Sequence, residues 1–491
     1  MPYDSLGDFL AELQDKQELV RIAAPVDSAL ELAAITDRVT KSNSDGGPAL
    51  FFENVRNASI PVVTNLLGRP RRLCCCLGVD HLDDVSLLLD RRIQADSSAS
   101  WLDALKLVPN WGSLSKWAPR SVKTALCQQV VRMGRDVSLW ELPVPRCWPG
   151  EPYPVITSGQ LVTVDPLTGA TVIFQPPLVV AGQQELGWHD EDHQQSSLIR
   201  SAIDSRQNLP VAISLGGDPL LSLTHRVRGP LDSRAFAGMI RGAGLDVIRC
   251  RTNELEVPAG SEIVIEGYID AEKSFSVTPL TVARGNGRYV TRALPLIQVT
   301  AVTHRANPVF PAIVTAPPPS EDSWLTLARD RIQLPMIKRL LPEIHDINQP
   351  LASAGRNLLF VSIHKSAAHQ ARRVLHALWG LELFEQTKII VIVDADVDVH
   401  DDDGVWLAVG TNACPSSDFI ASDGRARDDD YTRLPTSLAG RVGIDATRKL
   451  PAERGEPWPE PLVMSSEIAA RVRERWSEFN LERRPSTIAN E

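Results

Sequence analysis

At 491 residues the chain is too long for one hydrophobic core, and 43% hydrophobic with 23% charged residues is globular composition, not disordered, collagenous or membrane-embedded. Its 51 Lys and Arg against 61 Asp and Glu leave a formal charge of -10, which argues against a nucleic-acid partner and for small-molecule ligands. No apolar run approaches the ~18–20 residues of a membrane span, and the acidic opening "MPYDSLGDFLAELQDK" is unlike a signal peptide, so a cytoplasmic protein with no membrane partner is expected.

The first hundred or so residues alternate helix and strand. A helix in "SLGDFLAELQDKQEL" precedes a strand in "LVRIAAPV", a helix in "LELAAITDRVTKS" capped by Asp27 or Ser28, and strands in "PALFFENV" and "PVVTNLLG". Cys74, Cys75 and Cys76 then read as alternating faces of a strand-like segment, small buried hydrophobes; the seven cysteines hold no CxxC pair and no zinc spacing, which argues against a disulfide framework. From about Thr124 the texture becomes short β-branched, Pro-punctuated runs such as "YPVITSGQLVTVD", "GATVIFQPPLVVAG", "SEIVIEGYID" and "LPLIQVTAVTH", the pattern of a barrel or sandwich, with one helix in "DSRAFAGMIRGAG". After "APPPSED", the run "SWLTLARDRIQLPMIKRLLPEI" reads as a long connector helix kinked at Pro335. Alternating strand and helix from "NLLFVSIHK" to "DGVWLAVGTNAC" is the pattern of parallel βαβ units, and "SSEIAARVRERWSEFNL" is a last helix docking outside that domain or on another subunit.

Four polar constellations stand out. The acids of "VDADVDVHDDD" match no EF-hand and suit the start of a helix. "GWHDEDHQQ" sets His189 and His193 around Asp190, with the two histidines on one face if the segment is helical, and offers acid/base groups. "NLLGRPRRL" gathers Arg69, Arg71 and Arg72 as an anion site or a solvated basic turn; "GRVGIDATRKLP" sets Arg441 between two glycines, where a cation can approach a phosphate. Between two strand-like runs, "SFSVTPLTVARGNGRYVTRA" carries three arginines and no acid.

In order and spacing, "DFLAELQDKQELVRI", "PALFFENV", "TNLLGRPRR", "LPVPRCWPGE", "RTNELEVPAGSEIVIEGYI", "TKIIVIVDADVDV" and "GRVGIDATRKLP" resemble the UbiD family of prenylated-FMN-dependent decarboxylases, almost end to end. The resemblance implies an N-terminal α/β domain (1–122), a central split β-barrel related to flavin reductases (123–320), a linker helix (321–345) and a C-terminal α/β domain with an oligomerisation helix (346–491). It also implies a flavin phosphate bridged by a divalent metal, with K⁺ nearby, and an Arg with two carboxylates over the flavin. By alignment, the metal-binding Asn falls at Ala170 or Thr171, the Glu at Ser233, the His near Glu191, the Arg at Gln175 and the two acids at Val277 and Val282.

The reading is therefore a UbiD-like α+β multidomain enzyme with a rebuilt site, acting on an aromatic or α,β-unsaturated small-molecule acid. The expected reaction is of decarboxylase type, or a repurposed one such as cyclisation or isomerisation; a non-catalytic scaffold or partner subunit is the alternative. Expected catalytic groups are His189, Asp190, His193, Gln175, Arg284 and Arg288; expected cofactor groups are Thr171, Ser233, Arg441 and Arg71. Prenylated FMN is the cofactor implied, the usual manganese and potassium site is expected to be lost, no metal ligand is assigned, and a homo-oligomer, dimer or hexamer, is expected.

Overall fold

In the computed structural model, residues 3–95, 117–189, 193–225, 233–272, 276, 279–353, 357–425, 438–459, 462 and 464–479 are described. The chain divides into two units, Met1–Lys365 with Gln370–Thr447, and Ser366–His369 with Arg448–Glu491. In the second, a helix Ser466–Glu474 is capped by Ser465, whose hydroxyl accepts from the Ile468 N–H.

The larger unit opens on helix Leu6–Asp15, capped by Ser5, and a four-stranded sheet in the order Leu19–Ile22, Ala49–Phe52, Val62–Thr64, Phe310–Ala312. The last strand returns from beyond the barrel segment to complete the N-terminal sheet. Helix Glu31–Ser42 starts a turn later than a cap at Asp27 or Ser28 requires: Leu30 precedes it at φ 72°, and Asp27 instead shapes the turn before it, accepting from the Ala29 N–H at 2.8 Å. The three cysteines lie on a helix, not a strand. Pro70 at the first position of Pro70–Leu77 presets the helical φ, and Gly78 at φ 69° stops it, so Cys76 faces the core while Cys74 and Cys75 stay half-buried.

The central sheet has nine strands, all antiparallel: eight follow an open path from Val155–Ile156 to Thr171–Phe174, and the ninth, Val130–Met133, pairs with Leu296–His304 off that path. Strands Glu185–Trp188 and Thr171–Phe174 lie five ladder steps apart on that path, a separation of about 24 Å in a flat sheet. Yet the Phe174 and Trp188 rings are 5.9 Å apart, centroid to centroid, so the sheet curls into a half-barrel and these two aromatics close it. Inside, Leu161, Ile213, Ile265, Ile297 and Val299 form one core with them.

Helix Glu321–Leu340 runs through Pro335 as one 20-residue element. Trp324, Leu325, Ala328 and Ile332 on it complete the N-terminal core, whereas Leu334 and Ile337 belong to the C-terminal one. The C-terminal sheet is ordered Ile344–Asn348, Leu358–Ile363, Ile389–Asp394, Leu438–Asp445, Phe419–Arg425, its three middle strands parallel. Helices Gln370–Gly380 and Asp402–Asn412 pack on it. Asp402 and Asp403 stand in the first turn of the second, where acids complement the helix dipole. Among the described residues no helix is long and apolar enough to cross a membrane.

Candidate functional site

Polar residues follow both aromatics that close the half-barrel. After Phe174, Gln175 turns its Nε2 toward the Thr157 carbonyl at 3.5 Å, while its Oε1 is buried without a partner among the described residues. After Trp188 comes His189, 2% exposed, whose backbone N–H donates to the Pro177 carbonyl at 3.0 Å and so ties the strand end to the turn that carries Gln175. Trp188 Nε1 donates to Gln195 Oε1 at 2.9 Å, which brings the first turn of helix His193–Asp204, and its positive dipole end, to the same corner. His189 therefore ends a strand and His193 begins a helix; the two do not share a helical face, because strand pairing runs through Trp188. Asp190, and the side chain of His193, lie outside the described residues.

A hairpin of Leu280–Ala283 and Tyr289–Arg292 covers this corner from outside. It sits on strand Glu185–Trp188 at Gly187, where a β-carbon would come within 2.6 Å of Leu280 Cδ1. The cationic loop is thus the turn of a hairpin. Arg284 is buried, its N–H donating to the Arg288 carbonyl at 2.8 Å, and Arg288 stands exposed at the tip. Val282, 1% exposed, packs with Val155, Val179, Leu280 and Leu294; Val277 lies outside the described residues.

One residue that sequence reasoning passed over holds the hairpin in place. Glu151, from "CWPGE", accepts from the N–H groups of Cys147 and Trp148 at 3.1 Å each and of Ala283 at 2.9 Å; burial pushes its carboxyl up against these three donors. A buried acid just after a Pro-Gly turn was the available signal.

The other expected groups are dispersed. Thr171 is exposed at the start of its edge strand. Ser233 heads helix Ser233–Arg241, which packs into the N-terminal core, and its Oγ is buried without a partner among the described residues. Arg71, with its side chain 80% exposed, lines a cavity in the N-terminal domain. Beside it in "NLLGRPRR", fully buried Arg72 donates to Glu18 at 2.9 Å and to the carbonyls of Leu66 and Asn65, and Arg69 pairs with Glu18 and Asp45, so these two guanidiniums are engaged by protein groups. Arg441 stands over Trp379, its guanidinium carbon 4.5 Å from the ring centroid, and donates to the Glu385 carbonyl at 3.2 Å.

Glu385 precedes strand Ile389–Asp394, so Arg441 stands toward the amino-terminal edge of the parallel strands. Ligands of open α/β sheets gather at the opposite edge. There, Lys365 Nζ donates to Thr447 Oγ1 at 2.9 Å, Thr447 donates to Asp445 Oδ1 at 2.5 Å, and Asp394 ends the neighbouring strand. Polar residues at the ends of apolar runs, "SIHK", "IVDAD" and "GIDAT", were the sequence signal for this group.

Among the described residues no three His, Cys, Asp or Glu side chains are grouped to hold a metal. In chemical kind the buried polar groups on these elements suit a flavin: Gln175 offers an amide oxygen without a partner among the described residues, His189 an imidazole and Arg284 a guanidinium.

A curled antiparallel half-barrel with buried polar groups at its closure, followed by a parallel α/β sheet, defines the class to which the comparisons point. Models of 3-octaprenyl-4-hydroxybenzoate carboxy-lyase match in three parts: its N-terminal domain at residues 10–92, its Rift-related domain at 120–318 and its C-terminal domain at 323–446. Uncharacterized proteins of Archaeoglobus fulgidus and Aquifex aeolicus are 34% and 35% identical, each over 98% of this chain and 99% of theirs. The UbiD-class enzyme HmfF from Pelotomaculum thermopropionicum, solved in complex with FMN, is 25% identical with a TM-score of 0.75 over 93% of this chain and 97% of its own. The closed form of vanillic acid decarboxylase from Sedimentibacter hydroxybenzoicus shares the fold, with a TM-score of 0.83 at 23% identity over 98% of this chain and 100% of its own. The chain belongs to the UbiD family.

Proposed function

We propose that this chain is a UbiD-class enzyme acting on an aromatic or α,β-unsaturated small-molecule acid at the closure of the half-barrel, in a decarboxylase-type reaction with prenylated FMN. The observation that carries the reading is Gln175 Oε1. A buried acceptor with no protein partner among the described residues costs about 1–3 kcal/mol, and a ligand donor offsets that cost. When bound, the prenylated flavin supplies an electron sink for the pair of electrons released as carbon dioxide leaves.

The protein's own groups divide the remaining work. Gln175 accepts a hydrogen bond from the bound ring system, and Arg284 orients the substrate carboxylate. His189 delivers the proton that replaces carbon dioxide, in place of an acid at Val277 or Val282, and Arg288 at the hairpin tip draws anions inward. Thr171, Ser233, Arg71 and Arg441 have no contact with this corner among the described residues.

Protein purified from cells that make prenylated FMN is expected to be coloured and to carry one flavin per chain; colourless protein sinks the flavin reading. With a panel of aromatic acids, His189→Ala is expected to lower kcat by ~10²–10⁴, the usual worth of a positioned proton donor. Full retention of kcat removes His189 from this role, and flavin-loaded protein inert toward every acid favours the non-catalytic subunit.

A further inference from the structure

Far in sequence from the groups of the half-barrel corner, the edge of the C-terminal sheet carries two histidines that meet. Ile344–Asn348 is an edge strand, paired only with Leu358–Ile363. Its ladder is broken by a bulge: Ile344 pairs with Ile363 and Asp346 with Ser362, so three residues of this strand lie against two of the next, and His345 is the extra one. A bulge re-aims the side chain it carries. His364 follows the neighbouring strand, its N–H donating to the Glu343 carbonyl at 2.8 Å. The two imidazoles stand with ring centroids 4.9 Å apart and planes at 73°. Both residues are exposed, and among the described residues neither ring has a hydrogen bond or an ion pair to the protein.

We infer that His345 and His364 form a binding site for one divalent transition-metal ion, held through both imidazoles with water in its remaining positions. With metal–nitrogen bonds of about 2.0–2.1 Å, imidazoles in neighbouring positions of one ion bring their ring centres to about 4.5–5 Å, and the separation here falls in that range. Neutral imidazole suits copper, nickel and zinc, whereas magnesium and calcium want oxygen. The acids beside the pair are engaged elsewhere: Glu343 pairs with Arg373, and Asp346 with Arg331 and His400. The site is thus one of two nitrogen ligands, in keeping with the absence of any three-residue metal cluster among the described residues. An ion held there ties the edge strand to its one neighbour beside the break in the ladder, and so clamps the sheet where backbone pairing is weakest.

The test uses the untagged full chain with Cys414→Ser, because an exposed thiol takes the same metals. Calorimetric titration with Ni²⁺ is expected to give one ion per chain, with Cu²⁺ tighter and Mg²⁺ not bound. His345→Gln and His364→Gln, at exposed positions that leave the core intact, are each expected to weaken Ni²⁺ binding on the order of tenfold or more, since the second imidazole acts on an ion the first already holds. Amide exchange at Asp346, Ile347 and Asn348 is expected to slow when Ni²⁺ is added to the parent and to stay unchanged in either variant. No Ni²⁺ uptake, undiminished binding in both variants, or weakening in only one of them overturns the shared site. Exchange that does not respond to the ion in the parent overturns the clamp.

Discussion

Val282 occupies the position at which the family resemblance sets a carboxylic acid, and it is buried in an apolar cluster with Val155, Val179, Leu280 and Leu294. Val282→Glu is therefore expected to cost about 2–4 kcal/mol in chemical denaturation, because no partner awaits the carboxylate, and to leave activity no higher than in the parent. A stable, more active variant would show that the cluster opens to receive an acid. Asp218 gives the opposite case, a carboxylate buried by design. It accepts from the Leu220 N–H at 2.9 Å and from Arg241 at 3.0 Å, yet burial outweighs both and pushes it up to about 6. Because the folded state holds this proton more tightly than the unfolded chain, the group's contribution to stability is complete below about pH 4 and falls as pH rises through 6. Thermal unfolding from pH 4 to 7 is expected to show this decline, and Asp218→Asn to flatten it by on the order of 2–3 kcal/mol; identical slopes would mean that Asp218 does not hold its proton in that window. Of these residue-level features, His189 stood out in the sequence by its charged neighbours in "GWHDEDH", although nothing there marked it as buried. Glu151 and Lys365 left only local marks, a Pro-Gly turn and the end of an apolar run, and Asp218 left none; the burial of the two acids comes from tertiary pairing of distant backbone segments.

At the scale of elements, the hairpin Leu280–Arg292 depends on a residue far from it in sequence. Removing the Glu151 carboxylate leaves the N–H groups of Cys147, Trp148 and Ala283 without their acceptor, and Glu151→Ala is expected to destabilise by on the order of 3 kcal/mol. The local signature is faster amide exchange along Leu280–Arg292 before any change in the C-terminal sheet; uniform acceleration throughout would assign Glu151 a global role. Most elements were readable from apolar period alone, including the Gly stop after the "RAFAGMIR" helix and the alternation of the C-terminal strands and helices. The cysteine run was not, because "RLCCCL" suits either period and only Pro70 and Gly78, punctuation at its two ends, decide for helix. The return of Phe310–Ala312 to the N-terminal sheet left no local mark at all, as it pairs with a strand nearly 250 residues earlier.

For the whole molecule, the unspent apolar surface decides assembly. Helix Asp402–Asn412 buries Val405 and Ala408 against its sheet but leaves Trp406 and Leu407 47% and 68% exposed. In the smaller unit, Ile468, Val472 and Trp476 recur every four residues, all exposed, with Phe479 one turn on. An amphipathic helix with its apolar stripe in water is unfavourable by roughly 1–2 kcal/mol per large side chain, and burial against a second copy removes that cost. We propose a homo-oligomer on this ground. Native mass spectrometry is expected to give a multiple of 53.9 kDa, and Val472→Glu with Trp476→Glu to lower it while thermal unfolding followed by far-UV circular dichroism shifts little. A single-chain mass for the parent would refute the proposal, and an unchanged multiple in the double variant would move the interface to the Trp406 and Leu407 face, where Leu407→Glu is the deciding substitution.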